Sequence, residues 1–158
     1  MKVYIVTPGE TMLDGFDPKL TNESYGPLKK ICDKILAQLP KPPLIICGTG
    51  SRHRATGLFI NECLDGTLAT FSPFCGSGDY KGKDGLISTV DCRVKDHEYL
   101  GLEDKTALNP WTWIGGLPDD VLLCADEVFV SALDAGFEGK KGRLYEADAD
   151  TRTVREIN

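Results

Sequence analysis

Short runs of apolar residues, each followed by a segment with helical character, recur along this chain. The runs at 2–6, 44–47 and 121–125 contain few polar residues and predict strands that are buried on both faces of a sheet. The segment at 24–39 predicts an amphipathic helix, because its apolar residues recur three and four positions apart on one face. A second helix is predicted over 52–63. Strands that alternate with helices in this way are typical of a mostly parallel sheet with helices on its faces.

The pattern is weakest between 67 and 118. We expect short strands at 71–74 and 86–94, and at most a short helix within 99–113. This part of the chain therefore adds little to the predicted topology.

The last part of the chain is more regular. A helix is predicted over 127–135, and strands at 143–147 and 153–157 predict a terminal hairpin. The elements together predict the α/β fold class, with three layers α/β/α around a mostly parallel central sheet, in a single domain over residues 1–158.

Composition limits the classes of function. The net charge of -6 argues against nucleic-acid and anionic-membrane binding, which need a basic face, but leaves room for a small phosphate in a local basic pocket. The sequence has no run of about 18 apolar residues, and its N-terminus enters a strand without a leader pattern, so we expect a cytoplasmic protein. The six cysteines lack metal-type spacing and are interpreted as buried thiols, except Cys75, which we expect to be exposed.

The loop from Gly48 to Gly57 is the best candidate for chemistry. It follows a buried strand and opens a helix, so backbone N–H groups and the positive end of the helix dipole favour an anion there. Arg52 and Arg54 add charged donors that match phosphate oxygens. The alternative interpretation is a capped helix with solvated arginines. The spacing excludes a Walker A loop and a dinucleotide fingerprint.

The chain has two histidines, His53 and His97, and no matching cysteine or glutamate spacing, so no zinc site is expected. His53 is interpreted as a surface residue at the helix N-terminus, with a nucleophilic role as the lesser alternative. His97 is interpreted as solvated.

Three segments resemble the histidine phosphatase (phosphoglycerate mutase-like) superfamily. Residues 7–11 read Thr-Pro-Gly-Glu-Thr, where the family has Arg-His-Gly-Glu-Thr after its first strand. Residues 51–57 are similar to the family's Ser-x-x-x-Arg-Ala-x-x-Thr segment. Arg54 then corresponds to the phosphate-binding arginine, and Arg52 does so if the register shifts. Residues 125–128, Ala-Asp-Glu-Val, stand where the family has Ser-His-Gly-Gly. The resemblance implies a phosphoglycerate mutase-like fold.

The departures from the family pattern decide the functional expectation. Pro8 replaces the histidine nucleophile, Thr7 replaces an arginine, and Asp126 replaces a second histidine. A carboxylate beside a phosphate dianion is strongly repulsive at low effective dielectric. Asp79 and Asp84 are the candidates for the family's acid–base carboxylate, without a secure match. We therefore expect the ancestral phosphatase or mutase activity to be lost.

What remains is expected to be a ligand-binding cleft without catalytic residues, metal or cofactor. Its occupant would be a small phosphorylated or anionic molecule. The oligomeric state is not predicted. The residues expected to line the cleft are Thr7, Gly9, Arg52, Arg54 and Asp126.

Two alternatives stay open. The first is a hydrolase with altered, carboxylate- or metal-assisted chemistry in the same cleft, with Asp126, Glu10 or Asp79 as general base. The second is a protein-interaction module, which exposed aromatic residues around Trp111 and Trp113 would indicate. We interpret both tryptophans instead as packing anchors.

Overall fold

The computed structural model describes residues 2–12, 19–72, 75, 81–82, 85–86, 110–134 and 136–158. The strand character predicted for 87–94 lies outside these residues, and so do Asp79, Asp84 and His97.

The elements predicted before residue 67 and after residue 118 are present with small shifts at their ends. The helices of the described chain are α1 (Tyr25–Gln38), preceded by a 3₁₀ turn (Asn22–Ser24), α2 (Ser51–Leu64), α3 (Pro110–Gly115) and α4 (Glu127–Leu133). The strands are β1 (Lys2–Val6), β2 (Leu44–Cys47), β3 (Thr67–Phe71), β4 (Lys81–Gly82), β5 (Gly85–Leu86), β6 (Val121–Cys124), β7 (Leu144–Asp148) and β8 (Thr153–Glu156). β3 ends at the residue where the strand predicted at 71–74 was expected to begin.

Six strands form one sheet in the order β3-β2-β6-β1-β7-β8, and β4 pairs with β5 separately. β1, β2, β3 and β6 run parallel to one another. β7 is antiparallel to β1, and β8 is antiparallel to β7, so that β7 and β8 form the predicted terminal hairpin. Cys124 at the end of β6 is in register with both Val6 of β1 and Cys47 of β2. The carboxyl ends of these three strands therefore meet at one edge of the sheet.

Apolar side chains cover both faces of the sheet. α1 buries Leu28, Ile31 and Ile35 against one face, as its periodicity predicted. Leu36, which belongs to the same predicted apolar face, is 57% exposed. On the opposite face, α3 and α4 pack Ile114 and Phe129 into a second cluster. The three-layer α/β/α arrangement with mostly parallel central strands is thus confirmed. Among the described residues, no helix has the length and apolar character needed to cross a bilayer.

The two tryptophans of α3 are packing anchors, as the sequence predicted. Trp111 is buried, and its Nε1–H donates to the backbone carbonyl of Leu133 at 2.8 Å. The ring of Trp113 packs edge-on against Phe129, with 6.0 Å between the centroids. Both contacts fix α3 to α4.

The expectation that Cys75 is exposed was wrong. Its side chain is completely buried in the cluster on the α3–α4 face. Its backbone carbonyl accepts a hydrogen bond from the Asp126 N–H at 2.9 Å, which holds this residue against the end of β6. The burial of Cys47 and Cys124 agrees with the prediction. A hydrogen bond with Cys47, together with burial, raises the pKa of the Cys124 thiol far above its usual value.

Candidate functional site

The candidate site lies at the edge where β1, β2 and β6 end. The Ala125 N–H donates to the Val6 carbonyl at 3.1 Å, and the Gly48 N–H donates to the Cys124 carbonyl at 3.0 Å. These bonds extend the strand pairing by one residue on each side of β6. The loops after the three strands therefore start side by side, which is where parallel α/β sheets commonly place ligands.

Asp126 is the centre of a buried polar cluster at this edge. The Arg52 guanidinium donates from Nε to Oδ1 at 3.1 Å, and from Nη2 to Oδ1 and Oδ2 at 2.8 Å each. His53 Nε2 lies 2.8 Å from the same Oδ1. Arg52 and His53 are 0% exposed and Asp126 is 1% exposed. The carboxylate is thus held by charge-assisted bonds from two consecutive residues of one helix.

The first turn of α2 supplies both partners. Gly50 caps the helix, and its N–H donates to Nδ1 of His53 at 3.2 Å. Since Nδ1 accepts this bond, the ring proton is on Nε2, which donates to Asp126. The two ring nitrogens of His53 are therefore both engaged in structural hydrogen bonds.

A small residue lets α2 approach the sheet closely enough for these contacts. A Cβ at Gly57 would overlap the Cys47 sulfur of β2, well inside van der Waals contact. The lack of a side chain at Gly57 therefore sets the distance between α2 and β2. Thr56 stabilises the same turn through a bond from its hydroxyl to the Arg52 carbonyl at 2.7 Å.

Asp126 is ionised in this cluster. Burial by itself raises the pKa of the carboxyl, but the electrostatic interactions and hydrogen bonds of His53 and then of Arg52 more than offset burial. The net effect is a pKa below its usual value. The cluster consequently contains an intact Arg–Asp ion pair at neutral pH.

Thr7 and Gly9 lie beside the turn that precedes β7. The buried Thr7 hydroxyl donates to the Lys140 carbonyl at 2.6 Å and accepts from the Arg143 N–H at 3.0 Å. Gly9 packs against Ser24, where an added Cβ would come within 2.8 Å of the serine side chain. It borders a cavity of about 190 Å³ that this turn also lines.

The predicted residues thus differ in the contacts that they make. Arg52 and Asp126 are brought together, Thr7 and Gly9 lie beside the 140–143 turn, and Arg54 is exposed to solvent on α2. The arginine that contacts Asp126 is therefore Arg52, which matches the family's phosphate-binding arginine only if the register of the alignment shifts.

Two residues of this edge were missed or misread from the sequence. His53 was interpreted as a surface residue and is completely buried, because the first turn of α2 faces the end of β6. A glycine cap followed three residues later by a polar side chain was the available signal.

Glu127 opens α4 beside Asp126. Burial, with the negative charge of Asp126, raises the pKa of its carboxyl. Glu10, by contrast, is 76% exposed and lies 4.0 Å from the Lys141 ammonium.

Comparisons with known proteins establish the fold. No model of a known protein family matches the sequence, and neither does any curated protein. Solved structures do match. The protein histidine phosphatase SixA in complex with tungstate has a TM-score of 0.60 at 16% identity, over 100% of this chain and 95% of that one.

Two further structures agree. The protein TTHB049 from Thermus thermophilus has a TM-score of 0.61 at 18% identity, over 100% of this chain and 99% of that one. An Escherichia coli protein described as a putative alpha-ribazole-5′-P phosphatase has a TM-score of 0.61 at 15% identity, over 99% of this chain and 95% of that one. The chain has the α/β fold of SixA and these proteins, the phosphoglycerate mutase-like fold.

Proposed function

We propose that this protein keeps the histidine phosphatase scaffold without phosphoryl-transfer activity. In this proposal the Asp126 carboxylate binds the Arg52 guanidinium at the position where a phosphate would otherwise bind. The observation that supports this most strongly is the two-oxygen contact of Asp126 with the Arg52 guanidinium at 2.8 Å. A guanidinium fork binds a phosphate through donors of the same kind. Asp126 acts as an internal anion.

The magnitude of this competition supports the proposal. A phosphate that takes Arg52 must leave the Asp126 carboxylate buried without its cation, which costs about 3–5 kcal/mol. At about 1.4 kcal/mol for each factor of ten, that lowers the affinity by roughly two to three and a half orders of magnitude. The carboxylate also repels the incoming dianion.

Among the described residues at this edge, none is suited to the nucleophilic step of the family's reaction. Pro8 has no nucleophilic side chain, and the Thr7 hydroxyl donates its proton to the Lys140 carbonyl. His53 has its Nδ1 lone pair bonded to the Gly50 N–H and its Nε2 proton bonded to Asp126. A histidine that accepts a phosphoryl group needs an exposed lone pair on a ring nitrogen. The protein would therefore act through binding rather than catalysis.

Activity measurements on wild-type protein, Arg52→Lys and Arg54→Ala test this proposal. The substrates are p-nitrophenyl phosphate and phosphohistidine. Arg54 is the matched control, since it lies two residues along the same helix and is exposed. We expect no turnover above buffer in any of the three proteins. Turnover by the wild type that survives Arg54→Ala and is lost in Arg52→Lys would overturn the proposal.

A hydrolase with altered chemistry is the second candidate. One observation favours it: the raised pKa of Glu127, a carboxyl placed next to the ionised Asp126. Two carboxyl groups whose pKa values are pushed apart are a common acid–base arrangement. A phosphodiester and carboxylic ester panel, measured from pH 5 to 8, separates the candidates. Activity that falls in Glu127→Gln and persists in Arg52→Lys would favour this second function.

A further inference from the structure

A groove of about 370 Å³ lies between α1 and the turn before β7, and Asp126 is not among the residues that line it. It adjoins the smaller cavity beside Gly9, because Gly142 and Arg143 line both. Two apolar and four charged side chains line it. The residues around it are Pro27, Lys30, Ile31, Lys34, Gly142, Arg143, Glu156 and Asn158.

The side-chain charges in this groove are unbalanced. Lys30 and Lys34 are four residues apart on α1, so their ammonium groups share one side of the helix and repel each other. Within the described part of the chain, neither lysine has a carboxylate within ion-pair distance, whereas the neighbouring Lys29 pairs with Asp33 at 3.5 Å. Three side-chain cations therefore face a single side-chain carboxylate, in a chain whose net charge is -6.

That carboxylate is already engaged. Glu156 lies 3.5 Å from Nε of Arg143, and this contact fixes the guanidinium at the rim of the groove. Lys30 and Lys34 remain as two cations without an ion-pair partner among the described residues. An anion between the walls would reduce the repulsion of the lysines and receive charge-assisted bonds from both sides.

We propose that this groove binds a small molecule that carries a phosphate or a similar dianionic group. The dianion would lie between Lys30, Lys34 and Arg143, and an apolar part of the ligand would lie on Pro27 and Ile31. This site is independent of Arg52, whose charge Asp126 neutralises. It would give the protein an anion-binding function without use of the family's phosphate position.

The test is a nuclear magnetic resonance titration with inorganic phosphate at pH 8 and low ionic strength. We expect shifts of the Ile31, Gly142 and Arg143 backbone amides. The double variant Lys30→Gln/Lys34→Gln should bind phosphate about tenfold more weakly, since two contact cations are removed. Lys29→Gln is the matched control on the same helix and should bind as the wild type does. The substituted side chains are at the surface or half-buried, so the variants keep the core packing.

The location of the shifts separates the two proposals. No shifts at the groove, or equal weakening by Lys29→Gln, would overturn the groove and leave the proposal for Asp126 standing. Shifts confined to the amides of 50–53 would overturn the groove and contradict the proposed function as well. Shifts at the groove that depend on Lys30 and Lys34 support the site.

Discussion

Replacing Asp126 with asparagine should destabilise the protein far more than the loss of a surface ion pair. The amide has the size of the carboxylate and keeps one oxygen that can accept from Arg52. The substitution therefore removes the charge without opening a cavity. What remains is the Arg52 guanidinium, 0% exposed, without its carboxylate partner.

The expected magnitude follows from this burial. Removing one partner of a buried ion pair costs about 3–5 kcal/mol, because the remaining charge is no longer compensated. Since asparagine keeps one acceptor, we expect the lower end, about 3 kcal/mol of unfolding free energy. For a chain of this length, each kcal/mol lowers Tm by about 2–4 °C, so Tm should fall by about 6–12 °C.

The assay is urea and thermal unfolding followed by circular dichroism, with Lys29→Gln as the control. Lys29 and Asp33 form an i,i+4 pair at 3.5 Å with side chains 60% and 65% exposed. Breaking it should cost no more than about 0.5 kcal/mol. An Asp126→Asn protein within about 1 kcal/mol of the wild type would refute our account of the buried pair as a strong structural contact.

Three other outcomes follow from the structure. The folded-state pKa of Asp126 is depressed, so its contribution is complete above the unfolded value of about 3.9 and is lost as pH falls through the folded value. Urea midpoints measured from pH 7 to 3 should therefore fall more steeply in acid for the wild type than for Asp126→Asn. Gly57→Ala should destabilise by about 1–3 kcal/mol, because its Cβ would overlap the Cys47 sulfur. Gly26→Ala, with no neighbour within 4 Å in α1, should instead stabilise by about 0.5–1 kcal/mol, and parallel denaturant curves check both signs.

Much of the fold could be predicted because its signals are local. Strands buried on both faces of a parallel sheet are almost continuously apolar, which is how β2 and β6 were found. The stripe on α1 reflects the helical period. The segment before α3 carries no comparable periodicity. The burial of Cys75 could not be predicted either, since it depends on a backbone bond to Asp126, which is far away in the sequence.

The candidate site shows the limit more sharply. Arg52 and Asp126 are 74 residues apart in the sequence, and only the position of β6 next to β2 brings them together. Which arginine faces the sheet is a question of register. Side chains two positions apart on a helix with about 3.6 residues per turn point about 200° away from each other, so Arg52 is buried and Arg54 is exposed. Motif similarity with gaps of one residue cannot resolve that difference.

The measurement that tests the central claim most directly is the effect of phosphate on the Tm of Asp126→Ala. It should be made in the Lys30→Gln/Lys34→Gln background, so that the groove does not contribute. If Asp126 serves as an internal anion, its removal leaves an anion site on Arg52. Phosphate at about 100 times its dissociation constant should then stabilise the variant by about 2.7 kcal/mol, or about 5–11 °C, and leave the parent protein unchanged. The claim would be contradicted if phosphate stabilised the parent and the variant equally. It would also be contradicted if phosphate stabilised the variant no more than chloride does at matched ionic strength.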